Sequence, residues 1–252
     1  MLRWPAEAIW EAVAPILPGF TVEVLPQLDS TNTELMRRAR AGRLEPVLLV
    51  AEEQTAGRGR LGRQWNSGAR PGDVLMFSLG LPLQMADWSG LSLAVGLSVA
   101  QSLHPDLQLK WPNDVWLADR KLAGILIETA QIDDARYAVI GVGINITPRD
   151  AAGLATPPAW LQELEPGVAA PQVLQRVAAA LVGDVQHFET QGWGPFQPAY
   201  ATRDALAGRE VILSDGTTGQ ARGVDGSGAL LVHTAAGLKK ISSAEVSVRP
   251  SN

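Results

Sequence analysis

The sequence predicts an α+β fold: a mixed β-sheet packed with helices, followed by a small separate β-barrel. Three observations predict it. Strand-length apolar runs and helical segments are both present in the first 200 residues, but they do not alternate strictly, which argues against a purely parallel sheet. After about residue 206 the texture changes to short β-rich runs broken by Asp-Gly and Gly-rich turns. The chain has 252 residues, 46% hydrophobic and 19% charged, enough for one large core and a small second unit. The expected division is residues 1–205 and 206–252.

Taken in order, residues 6–14 read as a short amphipathic helix ended by Pro15, and residues 21–28 as a strand. Thr31 to Glu34 match a capping box, predicting a helix that opens at Thr31 and runs to about Gly42. The apolar run 47–53 predicts a buried strand. Residues 54–73 carry Gly57, Gly59, Gly62, Gly68, Gly72 and Pro71 and read as one long loop, a length that usually marks function. Strand 74–81 precedes a buried helix over 87–103. Three strands follow between Leu107 and Ala130, the last two joined by a tight turn at Ala118, Asp119 and Arg120, and then strand 137–146. A helix over 171–188 starts on Pro171, a residue suited to the first helical position.

Composition excludes several classes of chemistry. There is no cysteine, so disulfides, thiolate catalysis and Cys-based zinc sites are ruled out. His104, His187 and His233 fit no metal spacing. A net charge of −5 opposes a nucleic-acid or anionic-membrane partner, and no apolar run is long enough to span a bilayer. The N-terminus, with its glutamates and early prolines, is a poor signal peptide, so a cytoplasmic location is expected.

Against that acidic background, Arg58, Arg60 and Arg63 crowd into six residues between glycines. Closely spaced guanidinium groups repel one another unless an anion joins them, and glycines let backbone N–H groups turn toward such a ligand. The competing reading is a solvated polar loop. Gly57 to Gly62 also spells the dinucleotide fingerprint G-x-G-x-x-G, but no helix can open in the residues that follow, so that reading fails. Ser30, Thr31 and Asn32 mark a helix N-terminus and could serve as a plain cap. Lys110-Trp111-Pro112-Asn113-Asp114 places a cation, an indole, a carboxamide and a carboxylate in five residues, or simply makes a turn with a packed tryptophan. Lys121 opens the apolar strand 122–128 and could be an ordinary strand-edge lysine. Gly141 and Gly143 lie within a strand, where they permit close approach to the backbone or mark a bulge.

In this order, Gln54 to Trp65, Lys110 to Asp114, Lys121 to Glu128 and Gly141 to Asn145 resemble the signature of biotin protein ligases. The segment at Ser30 to Asn32 fits as well, and so does a small C-terminal β unit, which in that family is SH3-like. The resemblance implies a class II synthetase-like catalytic domain. The implied enzyme activates biotin with ATP as biotinyl-5′-AMP and releases pyrophosphate. It then passes biotin to a lysine of a biotin carboxyl carrier domain. The implied biotin contacts are Ser30, Thr31, Asn32, Gln54, Arg58, Gly59, Arg60 and Lys121. Those for ATP and the adenylate are Arg60, Arg63, Trp65, Lys110, Asn113 and Asn145, with Mg2+ carried mainly on the phosphates rather than on a protein metal site. Lys121, Arg58, Arg60 and Asp114 are the implied catalytic groups, Asp114 orienting or deprotonating the acceptor lysine. Two departures stand out. Gly72-Asp73-Val74 replaces the Gly-x-Asn-Leu-Tyr strand entry common in the family. Only about 27 residues precede the Ser-Thr-Asn segment, too few for the DNA-binding domain of bifunctional members, so a monofunctional enzyme without DNA binding is expected, as monomer or homodimer. A related lipoate-type ligase shares the chemistry but not the Gly-Arg-Gly-Arg loop.

Overall fold

The computed structural model describes residues 2–85, 87–151, 156–242 and 248–250. Twelve strands form two sheets among these residues. The first sheet takes β1 (Thr21–Leu28), β2 (Val47–Gln54), β3 (Val74–Pro82), β4 (Gln108–Lys110), β5 (Asp114–Leu117), β6 (Arg120–Ile132) and β7 (Ala135–Asn145) in the order β1-β2-β3-β7-β6-β5-β4. β1 and β2 run parallel, and every other pair is antiparallel, so the sheet is mixed as expected. The second sheet is antiparallel, in the order β11-β10-β9-β8-β12: β8 (Glu210–Leu213), β9 (Thr218–Val224), β10 (Leu230–Thr234), β11 (Gly237–Ile241) and β12 (Val248–Pro250).

Strand alternation assigns each side chain to one of two faces. In β2, Leu48 and Val50 join the main core, which also buries α1 (Ala6–Val13), α3 (Leu91–Leu103) and α4 (Ala170–Gln191), whereas Val47 and Leu49 pack under α2 (Thr31–Arg40). β7 divides the same way. Ile140, Val142 and Ile144 enter the main core, and Tyr137 and Val139 lie under α2. On that second face the strand continues through Gly141 and Gly143 to Asn145, so one face passes from apolar cover to bare backbone to a carboxamide. This change along one strand face opens a cleft beside the α2 N-terminus.

Several boundaries differ from the sequence-based expectation, each for a local reason. α2 is capped by Ser30, not Thr31: the Ser30 hydroxyl accepts from the Thr33 amide at 3.5 Å. Glu34 does not reach back to close the capping box; it pairs with Arg37 and Arg38 on its own helix. α3 starts at Leu91 rather than Asp87, because Gly90 holds a left-handed φ of 86° against Trp193. The β5–β6 connection is tighter than expected. Only Ala118 and Asp119 lie in the turn, both at positive φ as in a type I′ hairpin, and Arg120 already belongs to β6. Loop 54–73 folds back on itself as a miniature hairpin with a 3-10 turn over Arg60–Gly62; Gly59 N–H donates to Arg63 O and Trp65 N–H to Gly57 O.

The second sheet shares the main core through Val211, Leu213, Ala221, Leu230, Val232 and Ile241. Buried indoles pin it: Trp111 Nε1 donates to Gly228 O at 3.1 Å and Trp193 Nε1 to Asp225 O at 3.0 Å.

Candidate functional site

One cleft of about 840 Å³ collects residues distant in sequence. Its lining includes Ser30, Thr31 and Asn32 from the start of α2 and Gln54 from the end of β2. Arg58, Gly59, Arg60, Arg63 and Trp65 come from the loop, Lys110, Asn113 and Asp114 from the β4–β5 turn, and Lys121 and Asn145 from β6 and β7. Every residue named as a biotin, nucleotide or catalytic contact therefore faces the same space, whereas Trp111 of the Lys110–Asp114 cluster is packed in the core.

At the α2 end the polar groups satisfy one another. Gln54 Oε1 accepts from the Thr31 amide at 2.6 Å and from its hydroxyl at 3.1 Å. The buried Ser78 hydroxyl lies 2.6 Å from Thr31 Oγ1 and 2.7 Å from Asn32 Oδ1. Asn32 Nδ2 donates to Leu126 O at 3.1 Å and Glu128 Oε2 at 3.0 Å. Asn32 reaches these partners only because β7 has no side chain in its way: a Cβ on Gly141 would stand 2.1 Å from Asn32 Oδ1. The strand registers across Gly141 and Gly143 are regular, so neither glycine marks a bulge.

Further along β7 the floor supports an aromatic ring. A Cβ on Gly143 would lie 2.3 Å from the Trp65 indole, and one on Gly124 of β6 3.1 Å from it. Lys121 Nζ stands 5.4 Å from the ring centroid and the Arg149 guanidinium 5.9 Å. Past the ring, Asn145 Nδ2 donates to Lys121 O at 3.1 Å and Ala159 O at 2.9 Å, bracing the backbone behind Lys121.

The cations are not equally free. Arg58 pairs with Glu128 at 3.0 Å, a carboxylate that sequence reasoning left as an unremarked strand residue. Lys121 Nζ meets Asp114 Oδ1 at 2.6 Å. Arg60 donates to Asn113 Oδ1 at 3.4 Å, while Asn113 Nδ2 donates to Ile125 O at 2.8 Å. Burial holds Arg60 below the usual guanidinium range, with Arg63 adding repulsion and Asp114 opposing it. Burial likewise pushes Lys110 down to about 8; Lys121, Arg63 and Arg60 lower it further against the pull of Asp114. A desolvated cluster of this sign favours an arriving anion.

Ser78, buried behind the cleft network, and two lining residues, Trp116 and Arg149, escaped sequence reasoning. Ser78 is a lone serine in an apolar strand, Trp116 looked like ordinary core, and Arg149 follows the last strand motif with no pattern around it. Only Ser78 left a signal, as a hydroxyl within an otherwise apolar run.

The chain matches the Biotin/lipoate A/B protein ligase family over residues 24–145 and the Biotin protein ligase C terminal domain over 207–249. It is 36% identical to the Bifunctional ligase/repressor BirA of Escherichia coli over 92% of its own length and 75% of that protein's. It is 35% identical to the Biotin--[acetyl-CoA-carboxylase] ligase of Paracoccus denitrificans, covering 88% of this chain and 98% of that one. The structure of biotin protein ligase from Aquifex aeolicus in complex with biotin and ATP superposes with a TM-score of 0.77, at 31% identity, over 91% of this chain and 99% of that chain. With both family descriptions matched and these identities holding over most of the chain and of its relatives, the chain belongs to the biotin protein ligase family.

Proposed function

We propose that the chain activates biotin with ATP and transfers it to a lysine of a biotin carboxyl carrier domain. The observation that carries this reading is the order of groups along β7. A self-satisfied polar pocket lies at Gly141, an aromatic ring at Gly143, and Lys121 is braced at Asn145. Four residues of strand span about 13 Å. That length suits an elongated substrate with a polar ring at one end and a carboxylate at the other.

In the first step the biotin carboxylate attacks the α-phosphorus of ATP and pyrophosphate leaves. Two anions must meet, so positioning and charge neutralisation dominate. Arg58, Arg60 and Lys121 supply that charge. Gln54, with Oε1 committed to Thr31 and one Nε2 hydrogen given to Met76 Sδ at 3.3 Å, keeps a second Nε2 hydrogen to donate, and Ser30 offers a hydroxyl, both suited to a ureido ring. Trp65 covers the adenine, and Lys110, Asn113 and Arg63 serve the nucleotide. Mg2+ is read as arriving on the phosphates. In the second step the amine of the acceptor lysine attacks the acyl carbon and AMP leaves. Asp114, beside Lys121, orients that amine and takes its proton.

The same reading divides the chain into a catalytic unit, 1–205, and an SH3-like unit, 206–252. It also places the enzyme in the cytoplasm with its carrier. No helix among the described residues is long and apolar enough to cross a membrane.

The test is ATP-dependent labelling of a purified carrier domain, read by mass, with lipoate as comparator substrate. A biotin-sized mass gain on one lysine is expected; labelling with lipoate in its place would overturn the assignment.

A further inference from the structure

We infer that Arg149 is a positioning residue that latches the 54–73 loop over the cleft by gripping Trp65. The inference rests on the proposed function only for its effect on the adenylate. The latch itself is a matter of geometry.

Arg149 reaches the loop from the end of β7 by three contacts. Its Nη1 donates to Asn145 Oδ1 at 2.7 Å, anchoring the guanidinium to the floor strand. Its Nη2 donates to Asn66 O at 2.9 Å, a backbone atom of the loop. Its cationic plane lies 5.9 Å from the Trp65 ring centroid. The floor backbone holds Trp65 from Gly143 and Gly124. Arg149 therefore ties the loop at two successive residues, 65 and 66, to the strand that forms the cleft floor.

Arg149 is a further cation in a cleft that already holds Arg58, Arg60, Arg63, Lys110, Lys121 and Arg209. Burial holds Arg149 below the usual guanidinium range, and the Asp73 charge offsets this. Both hydrogen-bond acceptors it uses are neutral oxygens. A charge kept there at such cost gains from the planar fork, which alone can span Asn145 and Asn66 while lying within cation–π reach of a ring. Lys121 touches the same ring but is paired with Asp114 and lies where anions arrive. When a phosphate draws Lys121 away, Arg149 remains to keep the indole in place. Asp73, one of this chain's departures from the family pattern, closes the other end of the loop. Its Oδ2 accepts from the Ala69 and Arg70 amides at 3.2 and 2.8 Å, and its Oδ1 accepts from the Thr147 hydroxyl at 2.9 Å.

The experiment is limited trypsin digestion of the ligand-free chain, with peptide masses reporting cleavage after Arg58, Arg60 and Arg63. Arg149→Ala is expected to be cut about tenfold faster than wild type in this loop. Arg149→Lys is expected to fall between the two, because an ammonium can face the ring but cannot span both oxygens. Thr147→Val removes the neighbouring Asp73 contact without touching the guanidinium and serves as the control for a merely loosened segment. Cleavage of Arg149→Ala within about twofold of wild type, or equal acceleration in Thr147→Val, overturns the latch. A second reading follows biotin- and MgATP-dependent AMP release without carrier. This leak of the adenylate to water is expected to rise about tenfold in Arg149→Ala, while adenylate formation at saturating substrate stays within about twofold. An unchanged leak also counts against the latch. Digestion without ligand requires no turnover, so a failure of the functional assignment would appear separately, as absent AMP release in wild type.

Discussion

The two ends of the cleft floor are built on different physical terms. At the α2 end, Ser30, Thr31, Asn32 and Ser78 are buried; Thr31, Asn32, Ser78 and Gln54 form one hydrogen-bond network before any ligand arrives, and Ser30 caps the helix beside it. At the loop end, Arg58, Arg60, Arg63, Lys110 and Lys121 crowd a small volume, with Arg58 paired to Glu128 and Lys121 to Asp114. The first end is complete in itself and recognises by fixed geometry. The second is held under mutual repulsion and is completed by an anion. A preformed polar pocket discriminates between neutral groups, whereas a cationic one lowers the energy of charge that develops during reaction.

If that division is right, substitutions at the two ends should fail in different ways. The largest effect is expected from Lys121→Ala. Removing a cation where charge accumulates should cost roughly 2–4 kcal/mol of transition-state stabilisation, or about 30- to 1000-fold in biotin-dependent pyrophosphate release. Thermal melting should barely change, since the lost pair with Asp114 is offset by relief of repulsion among the cations. A large fall in melting temperature with near-normal pyrophosphate release would invert the comparison.

Asp114→Asn comes next. It should slow single-turnover transfer from preformed biotinyl-adenylate to the carrier by about 100-fold, and adenylate formation by less. Equal losses in both steps would reassign Asp114 to holding Lys121 alone.

Gly141→Ala probes the other end. The added methyl group would stand 2.1 Å from Asn32 Oδ1, so the network must break or the strand must shift. A stability loss of about 1–3 kcal/mol is expected, visible in chemical denaturation, with a raised KM for biotin rather than for ATP. A raised KM for ATP alone would show that the two ends are not separate.

The smallest effect concerns pH. Lys110 titrates near 8 in the folded chain instead of 10.5. Between those values the unfolded chain keeps a proton that the folded chain has lost, so folding stability rises with pH across that window. ATP affinity should move the opposite way, falling as pH passes about 8 and Lys110 loses its charge. Lys110→Met should flatten both trends, measured by melting curves and nucleotide titration from pH 7 to 10. An alkaline fall in ATP affinity that survives the substitution would move the titrating group elsewhere.

How much of this was legible in the sequence follows from the same contrast. The cationic end announced itself, because Arg58, Arg60 and Arg63 among glycines are improbable in an acidic chain, and the Lys110–Asp114 cluster is dense in chemistry. The polar end was legible only at Ser30 to Asn32 and Gln54. Its remaining members, Ser78 and Glu128, are single residues in apolar strands whose meaning depends on registers 46 and 96 residues from Asn32. Strand identities came from local apolar runs and were read correctly. The order β3-β7-β6 could not be, because pairing depends on contacts remote in sequence. The Gly143 floor illustrates the limit. The sequence allowed close approach to the backbone, but not the knowledge that this chain's own Trp65 makes it.

β7 is the last strand of the first sheet to leave the ribosome, yet it lies in the middle of it, between β3 and β6. Until residues 135–145 are made, β1-β2-β3 and β6-β5-β4 have no shared edge, and the nascent chain has no floor on which Asn32 and Trp65 can meet. Synthesis therefore imposes a schedule. The loop of arginines is translated some 70 residues before the strand that gives it a surface. A chain stalled just before β7 carries the open edges of β3 and β6 and a concentrated positive charge, a combination that invites chaperone or polyanion capture during translation.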